Sequence, residues 1–264
     1  MLSALDQVLR GESTSLATLR QGRFDVPLNA LTLAILVLGI VAGMGMGSFA
    51  VFRPGTHSVA QFFASAVKVP LLFVLTVVVT FPSLYVFNAL VGSRLSMLAI
   101  LRLIVACLAV TLTVLASFAP IVAFFAASTT SYHFMVLLNV ALCAVAGFLG
   151  LSFLLRTLHR LTLATEAVEP VVTAPAASPP TLPPQISSAP ASAGALEPIE
   201  GHTPGANVRA VFRCWIILFA LVGSQMGWVL RPFVGDPGLQ FTFFRARESN
   251  FFQAVWQHFV GLFQ

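Results

Sequence analysis

Charge is what this sequence has least of. Of its 264 residues only 9% are Asp, Glu, Lys or Arg. Soluble domains carry about 25%, so a surface that faces water cannot be assembled from this composition. Lysine is almost missing: Lys68 is the one exception among 14 basic residues that are otherwise arginine. The net charge of +5 and the pI near 9.9 do not make the chain a nucleic-acid binder. Basic stripes interleaved with base-stacking aromatics are lacking, and most arginines flank apolar runs, where a membrane accounts for them. Cysteine is sparse too. Cys107, Cys143 and Cys214 lie alone in different apolar runs, with no CxxC and no Cys/His cluster, which points to neither zinc nor a disulfide framework. His57, His133, His159, His202 and His258 belong to no HExxH pattern, and Gly-x-Ser-x-Gly does not occur. Asp236 and Glu248 are outer-side carboxylates, but nothing in their setting pairs them as general acid and base. No catalytic residue, cofactor or metal ligand is expected.

What is present is apolar length. Hydrophobic residues make up 58% of the chain, and its mean hydropathy is +0.92. Runs at 28–52, 69–91, 97–126, 131–155 and 208–230 each reach the roughly 20 residues that cross a ~30 Å hydrocarbon core. The expected fold is all-α, a polytopic membrane bundle of five transmembrane helices plus short interfacial amphipathic helices. The first run is too long for the apolar core of a cleavable signal and lacks a processing site after it, so it should act as an uncleaved anchor. The organisation reads as a cytoplasmic N-terminal segment at 1–27, a four-span bundle at 28–163, a tether at 164–206, a fifth helix at 207–231 and an outer aromatic cap at 232–264. The tether is rich in Pro, Ala and Ser and has no aromatic residue. It cannot bury enough apolar surface to offset the entropy of ordering and should be disordered. Its PPTLPP also suits an aromatic-grooved domain.

Local features refine this outline. Leu2, Leu5, Val8 and Leu9 have helical spacing near Arg10, which fits a helix lying on a membrane surface or an ordinary cytosolic lead-in. Gly39, Gly43 and Gly47 recur every four residues and so share one helix face, a groove where another backbone can approach, within the fold or between subunits. Arg53-Pro54-Gly55 breaks the helix, and HSVAQFFASAVK reads as a separate re-entrant or interfacial helix leading into the second span. Pro82 and Pro120 each remove an internal hydrogen bond and should kink their helices.

Orientation follows from the cations. Arg10, Arg20, Arg23, Arg94, Arg102, Arg156, Arg160, Arg209 and Arg213 fall on the N-terminal side of a five-span chain, against Arg53, Lys68, Arg231, Arg245 and Arg247 on the other. The positive-inside rule puts the N-terminus in the cytoplasm and the C-terminus outside. GWVLRPFVGDPG, residues 227–238, is then where the last helix leaves the membrane, with Trp228 at headgroup level, Arg231 at the phosphates and Pro232 as the stop. The segment after it carries Arg245, Arg247 and an amphipathic stretch around Trp256. These residues suit an interfacial belt, or a convergence of arginines on an anionic headgroup or a partner's acidic loop.

The span centres lack ionisable residues, and their polar content is Ser, Thr, Asn88, Asn139 and Gln225. Side-chain amides of this kind bridge helices more often than they bind substrate. Two function classes remain. One is a non-enzymatic membrane protein acting as a scaffold or accessory subunit through helix packing, with membrane lipids and another membrane protein or a second copy as partners. The other is a lipid or small-solute transporter that uses kinked helices. KVPLLFVLTVVVTFPSLYVFNALVGSRLSMLAILRL, residues 68–103, is similar to the second and third spans of the Yip-domain family of five-span membrane proteins. That likeness covers about residues 65–155 and rests on hydropathy and span order. The family's acidic and Tyr/Gly motifs before the first span are not matched, and the tether and tail depart from it. SQMGWVLRPFVGDPG and FFRARESNFF resemble a group of uncharacterised bacterial inner-membrane proteins. The Yip likeness implies a non-catalytic organiser of partners in a membrane and supplies no site residues; the preference for Arg over Lys and the abundance of Ala and Pro suggest a bacterium, and hence an inner membrane.

Overall fold

The computed structural model of the protein describes residues 2–11, 28–52, 59–90, 97–166, 206–236, 239–245 and 249–263. It is all-helical, with no strand among the described residues. In chain order the helices are α1 Leu2–Leu9, α2 Leu28–Phe52, α3 Val59–Leu90, α4 Met97–Ser117, α5 Ala119–Ser128, α6 Tyr132–Glu166, α7 Ala206–Val229 and α8 Phe251–Val260. Four stretches are long and apolar enough to cross a membrane: Leu28–Phe52, Val59–Ser83, Leu101–Ser128 and Tyr132–Thr157. A shorter apolar stretch, Cys214–Val229, lies in α7. Most of the tether, from 167 to 205, lies outside the described residues, as does the Arg53-Pro54-Gly55 break.

α2 is the hub, with α3, α4 and α5 packed around it. Each glycine in a helix interior costs about 1 kcal/mol relative to alanine, so four in three turns need a reason. Close packing supplies it. A Cβ on Gly43 would stand 2.7 Å from Ala66 Cα, one on Gly47 2.9 Å from Phe62 Cα, and one on Gly39 2.9 Å from Pro70 Cβ. All three face α3, while a Cβ on Gly45 would meet Ala119 of α5 at 2.9 Å. The groove is therefore filled from within the chain.

That contact explains the first departure from the sequence reading. The described part of the HSVAQFFASAVK segment, from Val59, forms one helix, α3, with the second span, and Lys68 and Pro70 lie inside it; His57 and Ser58 lie outside the described residues. A buried lysine beside a proline resembles a boundary in sequence. Here Pro70 sits against the missing side chain of Gly39, and Lys68 is bonded into the protein rather than turned to water. Pro82 also lies inside α3. Its ring supplies no N–H to Val78 O, and the neighbouring hydroxyls bond to other carbonyls. Thr80 Oγ1 donates to Thr76 O at 2.7 Å and Ser83 Oγ to Thr80 O at 2.7 Å.

The third span is interrupted. Phe118 separates α4 from α5, its N–H shared between Val114 O at 3.3 Å and Leu115 O at 3.2 Å. Pro120, in the first turn of α5, has no N–H for the preceding turn. α1 packs on the bundle: Ala4, Leu5 and Val8 are buried, Val8 completely. α4 and α6 close together where a Cβ on Gly150 would meet Thr111 Cβ at 3.1 Å, and Cys107 Sγ donates to Gly150 O at 3.1 Å.

Candidate functional site: the seat of the C-terminal segment

Polar side chains gather at one place, the end of the bundle where α3 and α6 begin and α7 finishes. Gln61, Ser65 and Lys68 stand at i, i+4 and i+7 of α3, on one face, and all three are buried. The opposite face of the same turns is apolar and outward: Val59, Phe63 and Val67 are 53, 62 and 56% exposed. The helix start is therefore inverted, polar within and apolar without.

The inward donors are spent on main-chain carbonyls of the segment after α7. Gln61 Nε2 donates to Pro232 O at 2.9 Å and lies 3.3 Å from Phe233 O. Ser65 Oγ lies 2.5 Å from Phe233 O and 2.9 Å from Gln61 O, its one proton serving either. Lys68 Nζ donates to Pro232 O at 3.1 Å and to Phe243 O. Its ammonium also sits 4.6 Å from the Phe243 ring centroid and 5.5 Å from that of Phe244, cation–π geometry that strengthens where water is excluded. A lysine buried without a carboxylate partner costs several kcal/mol in desolvation. Two carbonyl dipoles and two ring faces offset that cost here.

The segment also fills the end of the core. Val234 is buried with Phe49, Val122 and Met135, and Gly235 lies so near α2 that a Cβ there would stand 2.6 Å from Ala50 Cβ. Arg245 Nη1 pairs with Asp236 Oδ2 at 3.4 Å, both side chains about three-quarters covered. Trp228 donates its indole N–H to Ser249 O, just before Asn250 caps α8 by accepting Gln253 N–H at 2.8 Å. The Arg231 guanidinium stacks on Trp228 at 3.6 Å.

α8 then folds back on the start of α6. His258 lies 5.1 Å from His133 and 5.5 Å from Tyr132, ring centre to ring centre, and Gly261 packs on the His133 imidazole. Burial first, and the neighbouring His133 second, hold the His258 pKa below its ordinary 6.5, against an opposing pull from Asp236. The folded state thus favours neutral His258. Its contribution is complete above pH 6.5 and is lost as pH falls from there through the lowered folded value, because the undocked form takes the proton first. As pH falls below about 6, the protection factors of α8 amides, corrected for the intrinsic slowing of exchange, should drop, and His258→Phe should remove that pH dependence. Protection factors that are flat with pH in the native chain would refute the pairing.

The sequence-derived residues therefore take different places. Trp228, Arg231 and Arg245 come together, but around Asp236, Tyr132 and Ser249, with Arg245 engaged by Asp236. Trp256 stands apart on the outer face of α8, 65% exposed. Arg247 and Glu248 lie outside the described residues, and so do Pro237 and Gly238 of the turn. Asn139 is buried and donates to Met135 O of its own helix at 2.8 Å. Gln61, Ser65, Lys68 and the His133–His258 contact were not singled out from sequence. The i, i+4, i+7 spacing of the first three was available as a signal; the histidine pair leaves none. Comparison of the chain with protein-family models, curated proteins and solved structures finds no match.

Proposed function

We propose that the chain is a five-span, non-enzymatic integral membrane protein of a bacterial inner membrane that acts as a scaffold or accessory subunit through helix packing. α7 is the fifth span in this reading, its 24 residues reaching about 36 Å at 1.5 Å per residue. The N-terminus then faces the cytoplasm and the seat of the C-terminal segment the outside, as the arginine distribution favours. The likeness to Yip-domain proteins belongs to the same proposal.

The observation that carries it is the state of α6. In its most apolar stretch 22% of the residues are buried, against 39 to 61% in the other three long helices. Gly147 has nothing within 4 Å of where a Cβ would stand, whereas the glycines of α2 are filled. Phe148 beside it is 71% exposed. Small-residue surfaces on membrane helices let a partner backbone come close, and none of the described residues covers this one.

Gly147→Leu should leave the purified chain folded, since it meets no neighbour, while removing a stoichiometric partner or a second copy from the complex isolated in mild detergent. Val74→Leu, on the exposed side of α3, should leave that complex intact. A complex indifferent to both changes would sink the reading. The break at Phe118 favours a second reading, a lipid or small-solute transporter with a broken helix. Uptake into proteoliposomes that is lost in Pro120→Ala would support it.

A further inference from the structure

At the seat of the C-terminal segment, polarity runs opposite to that of a water-soluble cap. Gln61, Ser65 and Lys68 point inward and are at most 2% exposed, while Val59, Phe63 and Val67 point outward. The tail that covers them repeats the pattern. Its main-chain carbonyls turn in to Lys68 and its rings turn out, Phe243 and Phe244 being 41 and 56% exposed directly over the buried ammonium. α8 contacts α6 through His258 and, just past the helix, Gly261, both on His133, and its Ala254 is buried. Its outer stripe is aromatic, with Phe252, Trp256, Phe259 and Phe263 exposed. Trp256, Phe259 and Phe263 also contact one another along that stripe.

A surface rimmed by water would place these groups the other way round, because an exposed ring gains nothing from water and a buried lysine loses its hydration. We infer that the C-terminal segment re-enters the membrane: residues 239–245 and α8 lie in the lipid at the level of the acyl-chain and headgroup boundary. α8 contains no charged residue other than the titratable His258, which suits burial of its outer stripe in that boundary layer. The outward faces of the spans continue into it, since Phe124 near the end of α5 is 65% exposed at the same end of the bundle. Within 239–245 the carbonyl of Phe243 is satisfied by Lys68, as those of Pro232 and Phe233 before it are by Gln61 and Ser65; non-helical backbone at membrane depth needs protein partners of this kind. The occupant of the aromatic face is therefore a lipid surface, not a second protein. This inference rests on the multi-pass reading but not on the partner assigned to α6.

The test is quenching of Trp256 by lipids brominated on the acyl chain, in the full chain reconstituted in phosphatidylcholine vesicles. The Trp256 component is the difference between the native chain and Trp256→Phe, so Trp215 and Trp228 stay in place. Expected is loss of most of that emission to the brominated lipid and little to aqueous acrylamide. Phe244→Trp in the Trp256→Phe background should behave alike and reports on 239–245 separately. Quenching by acrylamide and not by bromine would put the face in water. Protection from both would put a protein on it, a second copy if the chain cross-links to itself. Either result overturns the inference, as does bromine quenching at one position without the other. Failure of the α6 test leaves all of these outcomes readable.

Discussion

Gly43→Leu should strongly destabilise the folded bundle, not merely weaken an association. A Cβ at that position would lie 2.7 Å from Ala66 Cα and 2.8 Å from the Ser65 carbonyl carbon. These are backbone atoms of α3, which cannot rotate aside as a side-chain tip can. Overpacking of a well-filled interior costs about 1–3 kcal/mol, occasionally more, and a branched side chain against a helix backbone belongs to the upper end. That is a large share of a total stability of about 5–15 kcal/mol, and it falls on the seam between α2 and α3, where the bundle would part first. Parting it would also undo the seat of the tail, because Gln61, Ser65 and Lys68 lie on the same turns of α3 as Ala66. Detergent-solubilised Gly43→Leu should elute as aggregate instead of a single peak, and Gly43→Ala should fall between it and the native chain in thermal stability. Gly147→Leu is the matched control, since a Cβ there meets nothing. A monodisperse Gly43→Leu protein with native thermal stability would show that the two helices are not in contact.

The glycine spacing was visible in sequence because a helix fixes which residues share a face. The partner was not, because α3 offers the groove Phe62, Ser65, Ala66 and Pro70, a set with no motif of its own. Hydropathy located the long helices well, since length and apolar content are additive along the chain. It misplaced the start of α3 for a specific reason. Lys68 and Pro70 read as the end of one element and the beginning of another. Yet a lysine can stay inside a helix where carbonyls receive it, and a proline where the facing residue is glycine. Both conditions are tertiary. The third span shows the converse, with Pro120 marking the break at Phe118 through the missing N–H, a property of the residue itself.

The seat of the tail was the least legible part. Its acceptors are the main-chain carbonyls of Pro232, Phe233 and Phe243, which every residue type possesses, so sequence carries no sign of them. Its donors sit in a segment whose apolar face drew the eye. HSVAQFFASAVK reads as a re-entrant or interfacial helix, and the polar face formed by its Gln61, Ser65 and Lys68 is the one the fold buries. In a membrane protein the periodicity of a helix indicates that two faces differ without saying which of them faces inward, since lipid and water reward opposite choices.

Lys68→Met should release the C-terminal segment while leaving the bundle folded. Methionine keeps most of the lysine volume, so the loss is polar. Pro232 O would keep only the Gln61 donor, and Phe243 O would lose the Lys68 donor. A buried acceptor left without a partner costs about 1–3 kcal/mol, and the cation over the Phe243 and Phe244 rings adds about 0.5–2 kcal/mol where it is desolvated. Besides the Gln61 and Ser65 bonds to Pro232 and Phe233, the segment is held by the Asp236–Arg245 pair, the Trp228 bond to Ser249, Val234 in the core and the contact of His258 with His133. Regions held by few contacts open independently of the rest. Amide exchange should therefore rise in 230–245 and in α8 while α2 and α4 keep their protection. Lys68→Arg retains the charge but replaces a compact ammonium by a planar fork, and should restore protection only in part. Gln61→Leu removes a neutral donor from the same face and should act in the same direction with a smaller effect, because neutral hydrogen bonds are weaker than charge-assisted ones. Native exchange of the tail in Lys68→Met would mean that apolar contacts hold the segment and that the three donors of α3 are incidental to its seating.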